Sequence, residues 1–244
     1  MQEGLASITA AKLQANTDAL WYHPDMPGLA KALIARGADV NARIGKGVPP
    51  WDFPPYAHGG GIALPQIRHV GATPFLLAAA GGDAEMMRLL LAAGANPKAT
   101  TDEGTTALMA AAGVGQLRER AAAKRKGAYE ATLLAIELGN EVRAIGAGNR
   151  TALHGAAHKN FLKGIEYLVS KGGDLSIRSH RETQYERKGG PGNTALDWAT
   201  GIQIGMQSAI YHEEAVDLIS RLMIEHGLDA VGLSRTKGGN AKKK

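Results

Sequence analysis

The chain has 244 residues, 44% of them hydrophobic, which is enough to bury a sizeable core, and it has no cysteine, which excludes a disulfide framework and thiol chemistry. No run approaches the ~18 apolar residues of a membrane span. Of the formal charge of +5, segments 117–126, 178–188 and 235–244 carry net +4, +2 and +5, leaving −6 for the remainder, so the basic balance sits in two loops and a tail rather than on the continuous face of a dedicated nucleic-acid binder.

The start, MQEGLASITAAKLQAN, lacks a basic region followed by an apolar stretch and does not read as a signal peptide. The compartment stays open, cytoplasmic or exported after processing. A first, degenerate unit covers about 1–41. It opens near Ala6-Ser7-Ile8, contains an insertion at about 16–26, and closes at Gly37-Ala38-Asp39-Val40-Asn41. An insertion at about 43–70 follows.

The next stretch, Gly71 to Met109, sets the pattern. Thr73 can cap a helix start, and Pro74 suits the first helical turn, where no N–H partner is needed. An apolar run ends in Ala78-Ala79-Ala80, Gly81 and Gly82 reverse the chain, and Asp83 can cap a second helix. Met86, Met87, Leu90 and Leu91 fall on one helical stripe. Gly94 fits the left-handed position just past a helix end. The pattern restarts at Thr106, 33 residues after Thr73. Neither helix can bury its stripe alone, whereas stacked copies can.

Further openings lie at Thr151 and Thr194, and further closing glycines at Gly139, Gly172 and Gly227. The opening-to-closing distance is 21 residues in both the second and fourth units. It is longer in the others, which places insertions between the two helices at about 16–26, 113–127 and 201–212. Two more insertions, 43–70 and 178–193, fall between units. The units read as about 1–41, 71–98, 104–143, 149–176 and 192–230, followed by a disordered basic tail, 231–244.

Thr151-Ala152-Leu153-His154-Gly155-Ala156-Ala157 and Gly37-Ala38-Asp39-Val40-Asn41 resemble the ankyrin-repeat family. The phrases GATPFLLAAA, GTTALMAAAGVG and TALHGAA also resemble bacterial ankyrin-repeat proteins with long inserts. The resemblance covers about three-quarters of the chain and implies an all-α solenoid of about five helix-turn-helix units with long inserted loops. It also implies that His154 bonds to backbone near a finger and holds adjacent units together. Thr73, Thr106, Thr151 and Thr194 take structural roles at the helix openings. The pattern departs from the family at Gly164, where an aliphatic residue is usual and glycine costs roughly 1 kcal/mol relative to alanine.

The residues offer several candidate sites. Trp51, Phe53 and Tyr56 lie in the proline- and glycine-rich 43–70 insertion, where they either present a contact to a partner or fold back as packing. Arg118 and Arg120 belong to LRERAAAKRK, read as a solvated loop or a short helix with a basic face. Arg181 and Tyr185 belong to the 178–193 insertion. His154 and His158 are four apart, but HGAAH has no acid between them and is not the zinc-protease signature. Asp52, His58, His69 and Asp197 are acid–base types that no spacing brings together. No phosphate loop, dinucleotide fingerprint or nucleophile elbow is present.

The residues thus point to a protein-binding scaffold, probing a partner through a concave face and inserted fingers, with Trp51, Phe53, Tyr56 and Tyr185 as anchors and Arg118, Arg120 and Arg181 steering. No catalytic residue, cofactor or metal is expected, and the chain is expected to be a monomer. An enzyme or small-molecule binder with a pocket under the 43–70 loop is the alternative, and nucleic-acid or anionic-surface binding through the tail is a third reading.

Overall fold

The computed structural model describes residues 25–45, 70–114, 122–180, 192–201 and 211–230. The degenerate first opening, most of the insertions at 16–26, 43–70, 178–193 and 201–212, residues 115–121 of the 113–127 insertion, and the 231–244 tail lie outside the described residues. Among the described residues there are nine α-helices and no β-strand. They are α1 (Met26–Ala35), α2 (Pro74–Ala80), α3 (Ala84–Ala92), α4 (Ala107–Ala111), α5 (Ala122–Glu137), α6 (Ala152–His158), α7 (Leu162–Ser170), α8 (Ala195–Ala199) and α9 (Glu213–Glu225).

Several helix starts have a local cause. The Thr73 and Thr106 hydroxyls accept from the Leu76 and Met109 amides at 3.3 and 3.2 Å. Asp25 and Asp83 do the same for Gly28 and Met86 at 2.9 and 3.1 Å. Such caps satisfy N–H groups that the helix itself cannot. Pro27 and Pro74 stand in the first turns of α1 and α2, where their missing N–H costs nothing. The helix ends are equally regular. Gly37, Gly94, Gly139, Gly172 and Gly227 all have positive φ, between 69° and 90°, which a side chain would oppose.

The helices pair as α2/α3, α4/α5, α6/α7 and α8/α9, and the pairs stack. The first helices α2, α4, α6 and α8 touch in sequence along one row. The second helices α1, α3, α5, α7 and α9 touch along another. One continuous apolar core runs between the rows, through Phe75, Met87, Leu90, Leu108, Leu134, Leu153, Ile165, Leu168 and Ile219. Met86 also belongs to it, and Leu91 packs at its edge. A second cluster joins Ile44 and Ala72 to Leu76, Leu77, Ala80 and Ala110.

The third unit departs from the sequence expectation. An insertion over 113–127 places the second helix after Gly127, but α5 begins at Ala122 and runs 16 residues, against 9 for α3 and α7. The reason lies in composition: Ala122-Ala123-Lys124-Arg125-Lys126 consists of strong helix formers, so the helix extends backward into the insertion. The extension brings Gly127 against the Gly82 carbonyl at the turn of the preceding unit. Lys124, Arg125 and Lys126 therefore belong to a helix, not a loop.

Gly164 also has a structural reason. It is buried in α7, and a Cβ there would run into the ring of Phe161. That ring is itself buried and sits edge-on to Tyr129 of the preceding unit, with centroids 6.3 Å apart. Tyr129 meets Tyr167 in the same manner at 6.2 Å. Glycine at 164 thus makes room for an aromatic contact between units. Gly164→Ala should destabilise the protein by about 1–3 kcal/mol through overpacking. Urea denaturation checks this; a gain of stability, as for an ordinary helical Gly→Ala change, would contradict it.

Candidate interaction surface

The connections between units form a row of fingers tied by backbone hydrogen bonds. The Asp102 amide donates to the Val70 carbonyl at 3.0 Å, Ala147 to Glu103 at 2.9 Å, and His180 to Gly148 at 2.6 Å. Side chains add bridges between units. The Asn41 amide group donates to the Gly94 carbonyl and accepts from the Asn96 amide. Asn140 donates to Pro97, and Arg143 to Gly172 at 2.7 Å. Nearly all of these acceptors are main-chain oxygens, which fixes the spacing of neighbouring units whatever side chains they carry.

Two insertions leave from this row, and each has its two ends closed together. At the 43–70 insertion, Ile44 donates to the Ala72 carbonyl at 3.0 Å and accepts from the Gly71 amide at 2.8 Å. Arg43 reaches the next finger, donating to the Thr100 carbonyl at 2.9 Å and to Asp102 at 3.2 Å. Both side chains of that ion pair are about half exposed, so it adds little to stability. At the 178–193 insertion, Ser179 and Asn193 form an isolated antiparallel bridge. Two further insertions leave from the far ends of first helices, after Val114 and after Gly201.

His154 lies between the fourth and fifth units. It is buried, and its Nδ1 accepts from the Thr151 backbone N–H at 3.1 Å. Nδ1 therefore carries no proton, and Nε2–H donates to the Asn193 carbonyl at 3.1 Å. Burial pushes its pKa down to about 4, assisted by Arg150 and opposed by the Asn193 and Ile177 carbonyls and by Asp197. In the fifth unit Asp197 holds the equivalent position. Its Oδ2 accepts from the Thr194 amide and hydroxyl at 2.8 and 2.9 Å, while Thr194 Oγ1 accepts from the Asp197 amide, a reciprocal capping box. Arg178 lies 3.9 Å from the same carboxylate oxygen. Trp198 packs beside them, with the His154 and His158 rings edge-on at 6.1 and 5.5 Å.

Of the sequence-nominated residues, Thr73, Thr106, Thr151, Thr194 and His154 fall among these helix starts and unit contacts. Trp51, Phe53, Tyr56, Arg118, Arg120, Arg181 and Tyr185 lie outside the described residues, as do Asp52, His58 and His69. His158 does not join His154 at a common ion, because both His154 nitrogens are engaged; its pKa is lowered to about 4 by burial and by the charges of Lys159 and His212. Among the described residues no group of three or more His, Cys, Asp or Glu could hold a metal. Ser179, Asn193 and Trp198 were not singled out in the sequence. The one available signal was the Thr-Ala-Leu-Asp restart after the insertion, which parallels Thr-Ala-Leu-His and marks a capping box.

The low His154 pKa sets a pH dependence. The folded protein prefers the neutral ring, so the unfolded chain binds the proton first as pH falls. Stability is therefore full above about pH 6.5 and is lost as pH falls through 4. The difference from the ordinary value of 6.5 is worth roughly 3 kcal/mol for this ring. His158 contributes in the same direction. Urea denaturation at stepped pH should show the fall, and His154→Gln should flatten it while lowering stability at pH 7.5. An unchanged slope in that variant would contradict the assignment.

The Ankyrin repeat family model matches this chain at residues 70–102 and 148–180. Both matches span a finger and a helix pair, and the paired helices between and beyond them repeat the same caps, closing glycines and stacking. The chain carries ankyrin repeats, and its described helices stack as an all-α solenoid.

Proposed function

We propose that this array, whose repeats are in general protein–protein interaction modules, binds a protein partner through its concave face together with the inserted fingers of 43–70 and 178–193. The observation that carries the reading is the closure of both insertions at their base. Ile44 with Gly71 and Ala72, and Ser179 with Asn193, hold the two ends of each insertion beside the finger row. A loop closed at its base presents its residues from a fixed place, which lowers the ordering cost of binding. Trp51, Phe53, Tyr56 and Tyr185 then serve as anchors, and Arg118, Arg120 and Arg181 steer an acidic partner. The chain acts as a monomer in this reading, and its partner is a protein rather than a nucleic acid.

The test is affinity capture from native extract, beside a variant in which Gly45–Pro65 is replaced by a short Gly-Ser turn. A protein retained by the native chain and lost from the variant, at unchanged melting temperature, is the expected result. Identical recovery by both forms would remove the 43–70 insertion from the binding surface. Capture that collapses with added salt and depends on residues 234–244 would instead favour an anionic surface or nucleic acid.

A further inference from the structure

Among the described elements, the helices of the fifth unit meet the earlier ones along one seam: α8 packs on α6, and α9 packs on α7. In that seam lies the buried indole of Trp198, on α8. Two imidazoles of α6, one helical turn apart, stand edge-on to it, His154 with ring centres 6.1 Å away and His158 at 5.5 Å. The start of α9 is tied to the same place. The His212 amide donates to the Ala199 carbonyl, and His212 Nε2–H donates to the His158 carbonyl, both at 3.0 Å.

The His158 ring is the odd member of this group. Among the described residues it has no hydrogen-bond partner and no carboxylate paired with it; its ring contact is Trp198. The charges that face it, Lys159 and a protonated His212, share the sign of an imidazolium. Glu214, the carboxylate that α9 brings toward this turn, accepts from the Asn160 side chain at 3.1 Å. On the His154 side stand Arg150, Asp197 and Arg178, the last 3.9 Å from the Asp197 carboxylate. A neutral ring therefore suits the seam as a flat, largely apolar filler. An imidazolium does not, because burial removes its water and no described group replaces it. Burial first, and then Lys159 and His212, hold the His158 pKa down at about 4.

We propose that the seam between the fourth and fifth units is an acid-released joint, in which a proton on His158 parts α8 and α9 from α6 and α7 while the earlier units stay stacked. The inference goes beyond the binding reading and stands without it. Its sign follows from linkage. The open seam takes up the proton more readily than the closed one, so the joint is closed above about pH 6.5 and loosens as pH falls toward 4. Parting the seam returns the His158 ring to water and leaves the contacts of α2 to α5 untouched. Acid thus shortens the stacked array by one unit and uncovers the Trp198 indole, so the surface offered to a partner depends on pH.

Amide hydrogen exchange on the full chain at pH 7.5 and 5.0, corrected for the intrinsic effect of pH on exchange, tests this. Ordinary carboxylates stay largely ionised at the lower pH, so histidines carry the difference. In the native chain the opening constant of α8 and α9 should rise by roughly thirtyfold or more, and that of α2 and α3 by less than about threefold. His158→Phe keeps an aromatic ring beside Trp198 and cannot titrate; His158→Gln removes the ring as well. Each should cut the rise at α9 by roughly thirtyfold. The native chain decides by itself if a variant fails to fold. An equal rise in α2, α3 and α9 overturns the proposal. So does α9 protection that holds or increases at pH 5.0, as an indole that held the charged ring as a cation–π partner would give. A native pH response in folded His158→Phe or His158→Gln overturns it too.

Discussion

No helix pair in this protein can bury its apolar side within itself. The first helices are 5 to 7 residues long, far below the roughly 12–15 at which an isolated helix becomes even marginal in water. Their side chains are nevertheless almost wholly buried, because the next unit covers what its predecessor leaves open. Stacking is thus the condition for every other feature. The caps, closing glycines and finger bonds satisfy polar groups and set angles, but the energy of the fold resides in the surface buried between neighbours.

This dependence separates two kinds of sequence. Residues that face a neighbour are constrained in size and shape: alanines along the first helices, Phe161 seated over Gly164, His154 bridging Thr151 and Asn193. The finger row sets a second requirement, at the ends of two insertions, where the backbone closes through Ile44 with Ala72 and through Ser179 with Asn193. An array of this kind carries extra chain without disturbing its stack, and the row of finger bonds decides where that chain leaves.

Much of this was legible in the sequence because the signals were local. Thr73, Thr106, Asp83 and Gly94 each announce a cap or a stop through their own chemistry, and the 33-residue spacing repeats them. The rest required knowing what lies across the interface. Gly164 looks like a weak point until Phe161 is placed over it. The alanine- and lysine-rich insertion admits a loop or a short helix on its own, and only its continuity with the second helix of the unit shows that α5 begins at Ala122. Trp198 and Ser179 are 19 residues apart, and nothing in their spacing foretells a 3.0 Å bond. The aromatic and arginine anchors nominated in the insertions are legible only as composition, since their surroundings are not repeats.

The stacked frame itself is the claim on which the remainder rests. Because the chain has no native cysteine, two introduced ones can carry spin labels at unambiguous positions. Leu29 on α1 and Ile224 on α9 are 44% and 66% exposed and lie on the first and last second-row helices. Four helix-to-helix steps separate them, which at 8–10 Å each predicts a label separation of roughly 30–40 Å by pulsed dipolar spectroscopy. A distribution centred below about 20 Å, less than two helix diameters, would mean that α1 and α9 pack together and that the units are not stacked in a row.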